Sequence, residues 1–263
     1  MTDPTPDYVQ SLARGLSVIR AFDAEHPQQT LSDVAKVTGL TRATARRFLL
    51  TLSELGYVRA DGPLFALTPK VLDLGYSYLS SLTLPEVAGP HLEALTKQVN
   101  ESASVSILDG ADIVYVARVP VSRIMTVSIT IGTRFPAYAT SMGRVMLAGL
   151  SAPDLADYLA KVELSPLTGR TITSPKALRE ELSRVRHHGY CIVDQELEAG
   201  LRSLAAPIRD HTGTVVAAAN ISTQAARYPA AAVRKDLLPP LLATVEAIHQ
   251  DLIRINSTRT DHA

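Results

Sequence analysis

Four arginines stand close together in one short stretch of the chain: Arg42, Arg46, Arg47 and Arg59. Between Thr41 and Ala60 they face a single acid, Glu54, so four cations against one anion leave a local charge of +3. Guanidinium forks bind phosphates or the O6 and N7 edge of guanine, hydroxyls such as those of Thr41 and Thr44 reach phosphate oxygens, and a small residue such as Ala43 lets a backbone approach a groove. At about 100° per residue, Ala43 and Arg47 fall opposite an apolar stripe of Ala45, Phe48, Leu49, Leu52 and Leu55. Thr44 and Arg46 flank them, and Arg42 projects from the first turn. This is the side-chain mixture of a DNA-reading helix. Arg59 is placed for a phosphate or minor-groove contact just after it. Ser11 and Thr30, hydroxyls at the starts of two earlier helices, complete the candidate DNA-contacting set.

The elements that must position these residues can be read from spacing. Ser11 to Phe22 is expected to be a helix capped by Ser11, with Leu12, Leu16, Ile19 and Phe22 at helical intervals. A second helix opens at Thr30, with Asp33 three residues on as in a capping box, and Gly39 turns the chain out of it. The third runs from Thr41 to Leu55 and stops at Gly56. Tyr57 to Leu67 reads as two short strands around a turn. Three helices and a hairpin in this order predict a winged helix-turn-helix. Thr68-Pro69 begins a connector helix, expected over 69–83.

Beyond a boundary near Thr83, marked by Pro85 and Pro90, strands and helices mix. Hairpin strands are expected at Ser102 to Leu108 and Asp112 to Val119, and further strands at Ile124 to Ile131, Tyr190 to Val193, Ser203 to Ile208 and Thr214 to Ser222. Helices are expected at Ser141 to Gly149, Ala152 to Lys161, Ser174 to His188 and Val233 to Ile255, the last interrupted early by Pro239-Pro240. The fold class is α+β, built on an antiparallel sheet flanked by helices.

Composition sets the limits. The chain has 263 residues, 46% hydrophobic and 20% charged, which fits a folded protein of two domains and excludes disorder. Its 26 basic and 26 acidic residues balance, which taken alone argues against a polyanion partner; the +3 segment reverses that inference locally. A single cysteine, Cys191, allows no internal disulfide and is expected to be a buried, inert thiol. The polar start of the chain is unlike a signal peptide, and no apolar run approaches the roughly 20 residues that span a bilayer. A cytoplasmic protein without membrane contact is expected. His187-His188 has no companion ligands at metal spacing, Ser141-Met142-Gly143 lacks the glycine of a nucleophile elbow, and the 14 glycines form no phosphate loop. No cofactor, metal or catalytic residue is expected.

Several segments together resemble one family. Ser11-Leu12-Ala13-Arg14-Gly15-Leu16, Leu31-Ser32-Asp33-Val34-Ala35, Gly39 to Leu49 and Leu55-Gly56-Tyr57-Val58 are similar to the DNA-binding half of the IclR transcriptional regulators. Gly132 to Ala148, and Gly189-Tyr190 with Asp194 to Ile208 and Val215 to Ser222, are similar to the two motifs of that family's effector domain. Thr41-Arg42-Ala43 with Ala45-Arg46-Arg47-Phe48, and Ala137-Tyr138-Ala139-Thr140-Ser141-Met142-Gly143-Arg144, most resemble the branch regulating protocatechuate, p-hydroxybenzoate and β-ketoadipate genes.

The resemblance implies a tail at 1–10, a winged helix-turn-helix at 11–68, a linker helix at 69–83, a GAF-like effector domain at 84–257 and a tail at 258–263. It implies homodimers or dimers of dimers on pseudo-palindromic operator DNA. It also implies a small-molecule effector, an aromatic or dicarboxylic acid, held by Ser141, Met142, Leu201, Ser203, Asn220 and Ser222. Val193 stands where relatives can carry an acid, which favours an apolar or aromatic ligand. A carboxylate needs a cation or backbone donors, for which Arg134 and Arg123 are candidates, and Tyr138 could stack on a ring. The rival reading is a metabolite-binding protein or enzyme whose N-terminal helices serve association.

Overall fold

The computed structural model describes residues 8–74, 83–121 and 129–260, with side chains described through residue 254. The chain divides into two compact units, Met1–Ser81 and Leu82–Ala263.

In the first unit, α1 (Gln10–Ile19), α2 (Leu31–Thr38) and α3 (Arg42–Glu54) enclose a core of Val18, Phe22, Val34, Ala35, Ala45, Leu49, Leu52 and Val58. The inward face of α1 differs from the expected one. Leu12 and Leu16 are 64% and 48% exposed, whereas Val18 and Phe22 are buried and Gly15 lies against the Phe48 ring. The buried stripe therefore passes through Gly15, and a pattern search that follows large apolar residues selects the wrong face. Ser11 is not the cap: Val9 holds that position and makes no side-chain bond. A short strand β1 (Gln29–Thr30) joins the wing strands β2 (Val58–Asp61) and β3 (Leu64–Leu67) in the order β1-β3-β2. Two residues carry too little pattern for β1 to be visible in the sequence.

Helix α2 begins with the expected capping box. Thr30 Oγ1 accepts from the Asp33 amide, and the Asp33 carboxylate accepts from the Thr30 amide at 3.0 Å. The Thr30 hydroxyl bond is the leading cause holding the Asp33 carboxyl below its ordinary value. Its contribution is present above the ordinary carboxylate pKa of about 3.9 and is lost as pH falls through the lowered folded value. Thr30→Ala should cost about 1 kcal/mol at neutral pH. Urea unfolding followed by circular dichroism checks this, and an unchanged midpoint for the first unit would contradict it. At the other end Gly39 adopts φ 66°, the left-handed conformation that closes the turn into α3.

The second unit is a six-stranded antiparallel sheet between two helical layers. Its strands are β4 (Ser102–Asp109), β5 (Asp112–Val119), β6 (Arg134–Pro136), β7 (Cys191–Asp194), β8 (Leu201–Arg209) and β9 (Val215–Gln224), in the order β6-β5-β4-β9-β8-β7. Helices α4 (Thr83–Val99) and α8 (Leu238–Thr260) bury one face through Leu92, Leu95, Ala103, Val105, Leu204, Ile221 and Leu241. Helices α5 (Ser141–Gly149), α6 (Ala152–Lys161) and α7 (Pro175–His188) cover the other through Met142, Leu147, Leu159, Leu178 and Leu182.

Three differences from the sequence reading concern proline and pairing. Pro85 and Pro90 do not mark irregular chain; α4 runs through both. Pro85 lies in the first turn, where the N–H is unpaired anyway, and the bond lost at Pro90 is outweighed by burial of Val87, Ala88, Leu92, Leu95 and Val99. Pro239-Pro240 does not interrupt the last helix either. A π-helical turn at Val233–Leu237 directly precedes α8, and helix runs on through both prolines. The expected strand from Ile124 lies largely outside the described residues, and Ile129 and Thr130 are not strand. After a 3₁₀ turn at Pro69–Val71, helix continues to Leu74, and the rest of the expected connector also lies outside the described residues.

Candidate functional site

The first unit presents Arg42, Arg46, Arg47 and Arg59 at its surface. Thr41 caps α3, accepting from the Thr44 amide at 3.2 Å, and the two hydroxyls lie 2.9 Å apart. Ala45 and Leu49 point into the core, which leaves Arg42, Ala43, Arg46 and Arg47 exposed on the far side and Thr44 half-buried. Arg59 is exposed on β2, opposite the buried Ala66 of β3. None of these four arginines is paired with a carboxylate among the described residues, so the basic surface is not internally neutralised. Ser11 is exposed on α1. The Thr30 hydroxyl donates to Asp33 at 2.6 Å and also accepts from its amide, so it is committed to capping α2.

In the second unit a narrow cavity lies between the sheet and α5; its free volume of about 10 Å³ is room for about one water molecule, so a ligand must widen it to enter. Six residues expected there line it: Ser141, Met142, Leu201, Ser203, Asn220 and Ser222. The pleat explains their convergence. Ser203 and Ser222 are direct partners across β8 and β9, and Ser222 and Asn220 alternate with Ile221, which points into the opposite core. Ser203 donates to Ser141 Oγ at 2.8 Å, and Asn220 Nδ2 donates to Ser222 Oγ at 3.0 Å. Asn220 is 2% exposed, and its Oδ1 is buried without a hydrogen-bond partner.

Tyr115, Ile129, Ala139, Thr140, Val193 and Leu197 also line the cavity. Thr140 was legible as the residue before a helix; it caps α5, accepting from the Gly143 amide at 3.1 Å. The start of α5 therefore opens onto the cavity, and the Ser141 and Met142 N–H groups have no acceptor within their own helix. A side chain at Gly143 would overlap the Ala137 backbone, so glycine is what lets this turn close against Ala137–Ala139. Burial pushes the Tyr115 hydroxyl up to about 12, which keeps it a neutral donor at physiological pH. The site thus combines uncharged donors, a helix N-terminus and an apolar wall.

The cation proposals from sequence need correction. Arg134 stands at the surface, its side chain 45% exposed, bonded to Asp109 at 2.6 Å and Asp112 at 3.2 Å; it fastens β6 to the β4–β5 hairpin and does not reach the cavity. Tyr138 is buried but its hydroxyl donates to the Ser165 carbonyl at 2.8 Å, away from the lining. Arg123 lies outside the described residues. No charged side chain is among the described lining residues. Cys191 is buried, and burial pushes its thiol up to about 12.

A winged helix-turn-helix with unneutralised arginines, in one chain with a sheet domain enclosing a polar-floored cavity, defines a DNA-binding regulator with a small-molecule site. Residues 11–62 match the family described as the IclR helix-turn-helix domain, and residues 76–250 match the bacterial transcriptional regulator IclR C-terminal family. The chain belongs to the IclR family of transcriptional regulators. It is 44% identical over 239 residues to the Pca regulon regulatory protein of Pseudomonas putida, covering 90% of this chain and 82% of that one. It is 36% identical over 249 residues to the p-hydroxybenzoate hydroxylase transcriptional activator of Acinetobacter baylyi, covering 93% and 92%. A solved IclR homologue from Microbacterium hydrocarbonoxydans, in complex with 4-hydroxybenzoate, superimposes with a TM-score of 0.80 at 26% identity over 92% of this chain and 98% of that one. Among the described residues, no helix is long and apolar enough to cross a membrane.

Proposed function

We propose that this chain is a cytoplasmic regulator of aromatic-acid catabolic genes, without enzymatic activity of its own, whose effector is an aromatic or dicarboxylic acid held in the cavity against α5. The observation that carries the effector reading is the buried Asn220 Oδ1, an acceptor without a partner that a ligand hydroxyl can satisfy, in the cavity onto which the N-terminus of α5 opens. The ligand carboxylate sits on the Ser141 and Met142 N–H groups and the hydroxyls of Ser203 and Ser222. Met142, Val193 and Leu201 form the apolar wall, and Val193 brings no charge that would oppose an anion. The names of the Pseudomonas and Acinetobacter relatives, and the ligand of the Microbacterium homologue, support an aromatic-acid pathway. Residues 11–68 form the reading head, 69–83 the linker helix and 84–257 the effector domain. Arg42, Ala43, Thr44, Arg46, Arg47 and Arg59 contact operator DNA, and the protein acts as a dimer or dimer of dimers on a pseudo-palindrome. A ligand that alters DNA affinity has its own affinity altered by DNA by the same factor.

A thermal-shift panel of protocatechuate, p-hydroxybenzoate, β-ketoadipate and short keto acids tests the effector reading. A ligand at about 100 times its dissociation constant stabilises the folded domain by about 2.7 kcal/mol, which raises its melting temperature by several degrees. Ser203→Ala with Asn220→Ala should remove most of that rise. A panel in which no acid shifts the wild-type protein overturns the effector reading.

A further inference from the structure

The sheet itself carries an arginine on the cavity side. Ser104 of β4 pairs with Asn220 of β9 on one side and with Arg118 of β5 on the other. Residues directly opposite in a ladder share a face, and Asn220 lines the cavity, so Ser104 and Arg118 face the same way. Their contact agrees: Arg118 Nη1 donates to the fully buried Ser104 Oγ at 3.1 Å. A β-bulge makes this possible. Pairing shifts between Val105 and Ser106, β5 gains Val116 as an extra residue, and Val116 and Ala117 both enter the opposite core. Tyr115 and Arg118, three residues apart, are thereby turned to one face, where plain alternation would separate them.

Arg118 is half-buried, and among the described residues no carboxylate pairs with it. Burial disfavours its charge and draws it below the usual arginine range, and among the described residues its side-chain hydrogen-bond partner is a hydroxyl. A partly desolvated guanidinium held this way is incomplete, and an anion is what completes it. Arg134 and Arg144 of the same unit, by contrast, are each paired with a carboxylate.

We propose that Arg118, held by Ser104, is a second anion subsite of the cavity face and receives a carboxylate at the end of the ligand remote from α5. This deepens the effector reading and rests on it. Asn220 and Arg118 are two strands apart, about 10 Å between backbones and less between side-chain tips. A short dicarboxylate can span that gap, whereas a monoacid leaves Arg118 unpaired.

Calorimetric titration of the full chain with adipate and with hexanoate, matched in length but differing in one carboxylate, tests this. The wild type should bind adipate roughly tenfold or more tightly than hexanoate, as one charged hydrogen-bonded contact allows. In Arg118→Gln the preference should collapse with hexanoate binding unchanged, and Arg118→Lys should keep part of it. The ligand-free melting temperature of Arg118→Gln should not fall. Equal weakening of both acids in Arg118→Gln, or an intact preference, overturns the subsite. If the wild type binds monoacids, aromatic or aliphatic, without preferring adipate, the second subsite is wrong and the cavity reading stands. If it binds no acid at all, both fall.

Discussion

Replacing Arg46 and Arg47 together with alanine is expected to abolish specific operator binding, lowering affinity at least about a hundredfold at moderate salt. Both side chains are exposed on α3, neither has an acidic partner among the described residues, and their backbone is held by Ala45 and Leu49 beneath them. Truncation therefore removes cations without touching the core, and the melting temperature should barely move. If both arginines bind phosphates, the slope of log affinity against log salt should become shallower by about two. If one reads a guanine edge, discrimination at that base pair should fall by about 1–3 kcal/mol while the slope changes by about one. Gel shifts on the protein's own upstream region and on a random duplex, at two salt concentrations, separate these outcomes. Unchanged affinity of the double variant for the upstream region would refute the placement of the reading face.

The second large effect is expected at Glu196→Ala. Arg144 of α5 is completely buried; its Nε donates to the Tyr138 carbonyl at 2.7 Å, and its two terminal nitrogens grip Glu196 at 2.7 and 2.5 Å. Glu196 also accepts from the Ile172 amide at 3.0 Å. Alanine there strands a buried guanidinium, for which a loss of about 3–5 kcal/mol is expected. In a unit of this size that lowers the melting temperature by on the order of 10 °C. Leu197, next in sequence, lines the cavity, so ligand binding should weaken as well. Calorimetry reads the first effect and ligand titration the second. Arg144→Met combined with Glu196→Leu should recover much of the stability, because two apolar side chains leave no orphan charge. A single variant within about 1 kcal/mol of wild type would show that the pair holds nothing in place.

The parts of the molecule legible in sequence were those whose cause is local. The Thr30 cap, the Gly39 turn, the arginine face of α3 and the helices at 141–149 and 152–161 each follow from residues within a few positions. The six cavity residues were placed by resemblance, since nothing in their own spacing brings Ser141 to Ser203. What escaped the reading is set by tertiary context. Helix α4 is held by burial that outweighs its prolines, Glu196 reaches Arg144 across 52 positions, and the acids that hold Arg134 lie 22 and 25 residues away in the hairpin it fastens, beyond the reach of local spacing. A one-residue bulge reverses the face of Arg118, and a bulge leaves little trace in alternation alone.

The central strands have a consequence for how such a regulator can diversify. Along β4 and β9, Ser102, Ser104, Ser106, Asn220 and Ser222 alternate with Ala103, Val105 and Ile221, which belong to the core beneath α4 and α8. Each strand thus carries two interleaved registers, one governing what is recognised and one governing whether the domain folds. Substitutions in the first register can accumulate while the second is kept. Inherited changes of inducer are expected to fall on every second residue of these strands, and a library randomised at those positions alone should retain folded members with altered ligand preference.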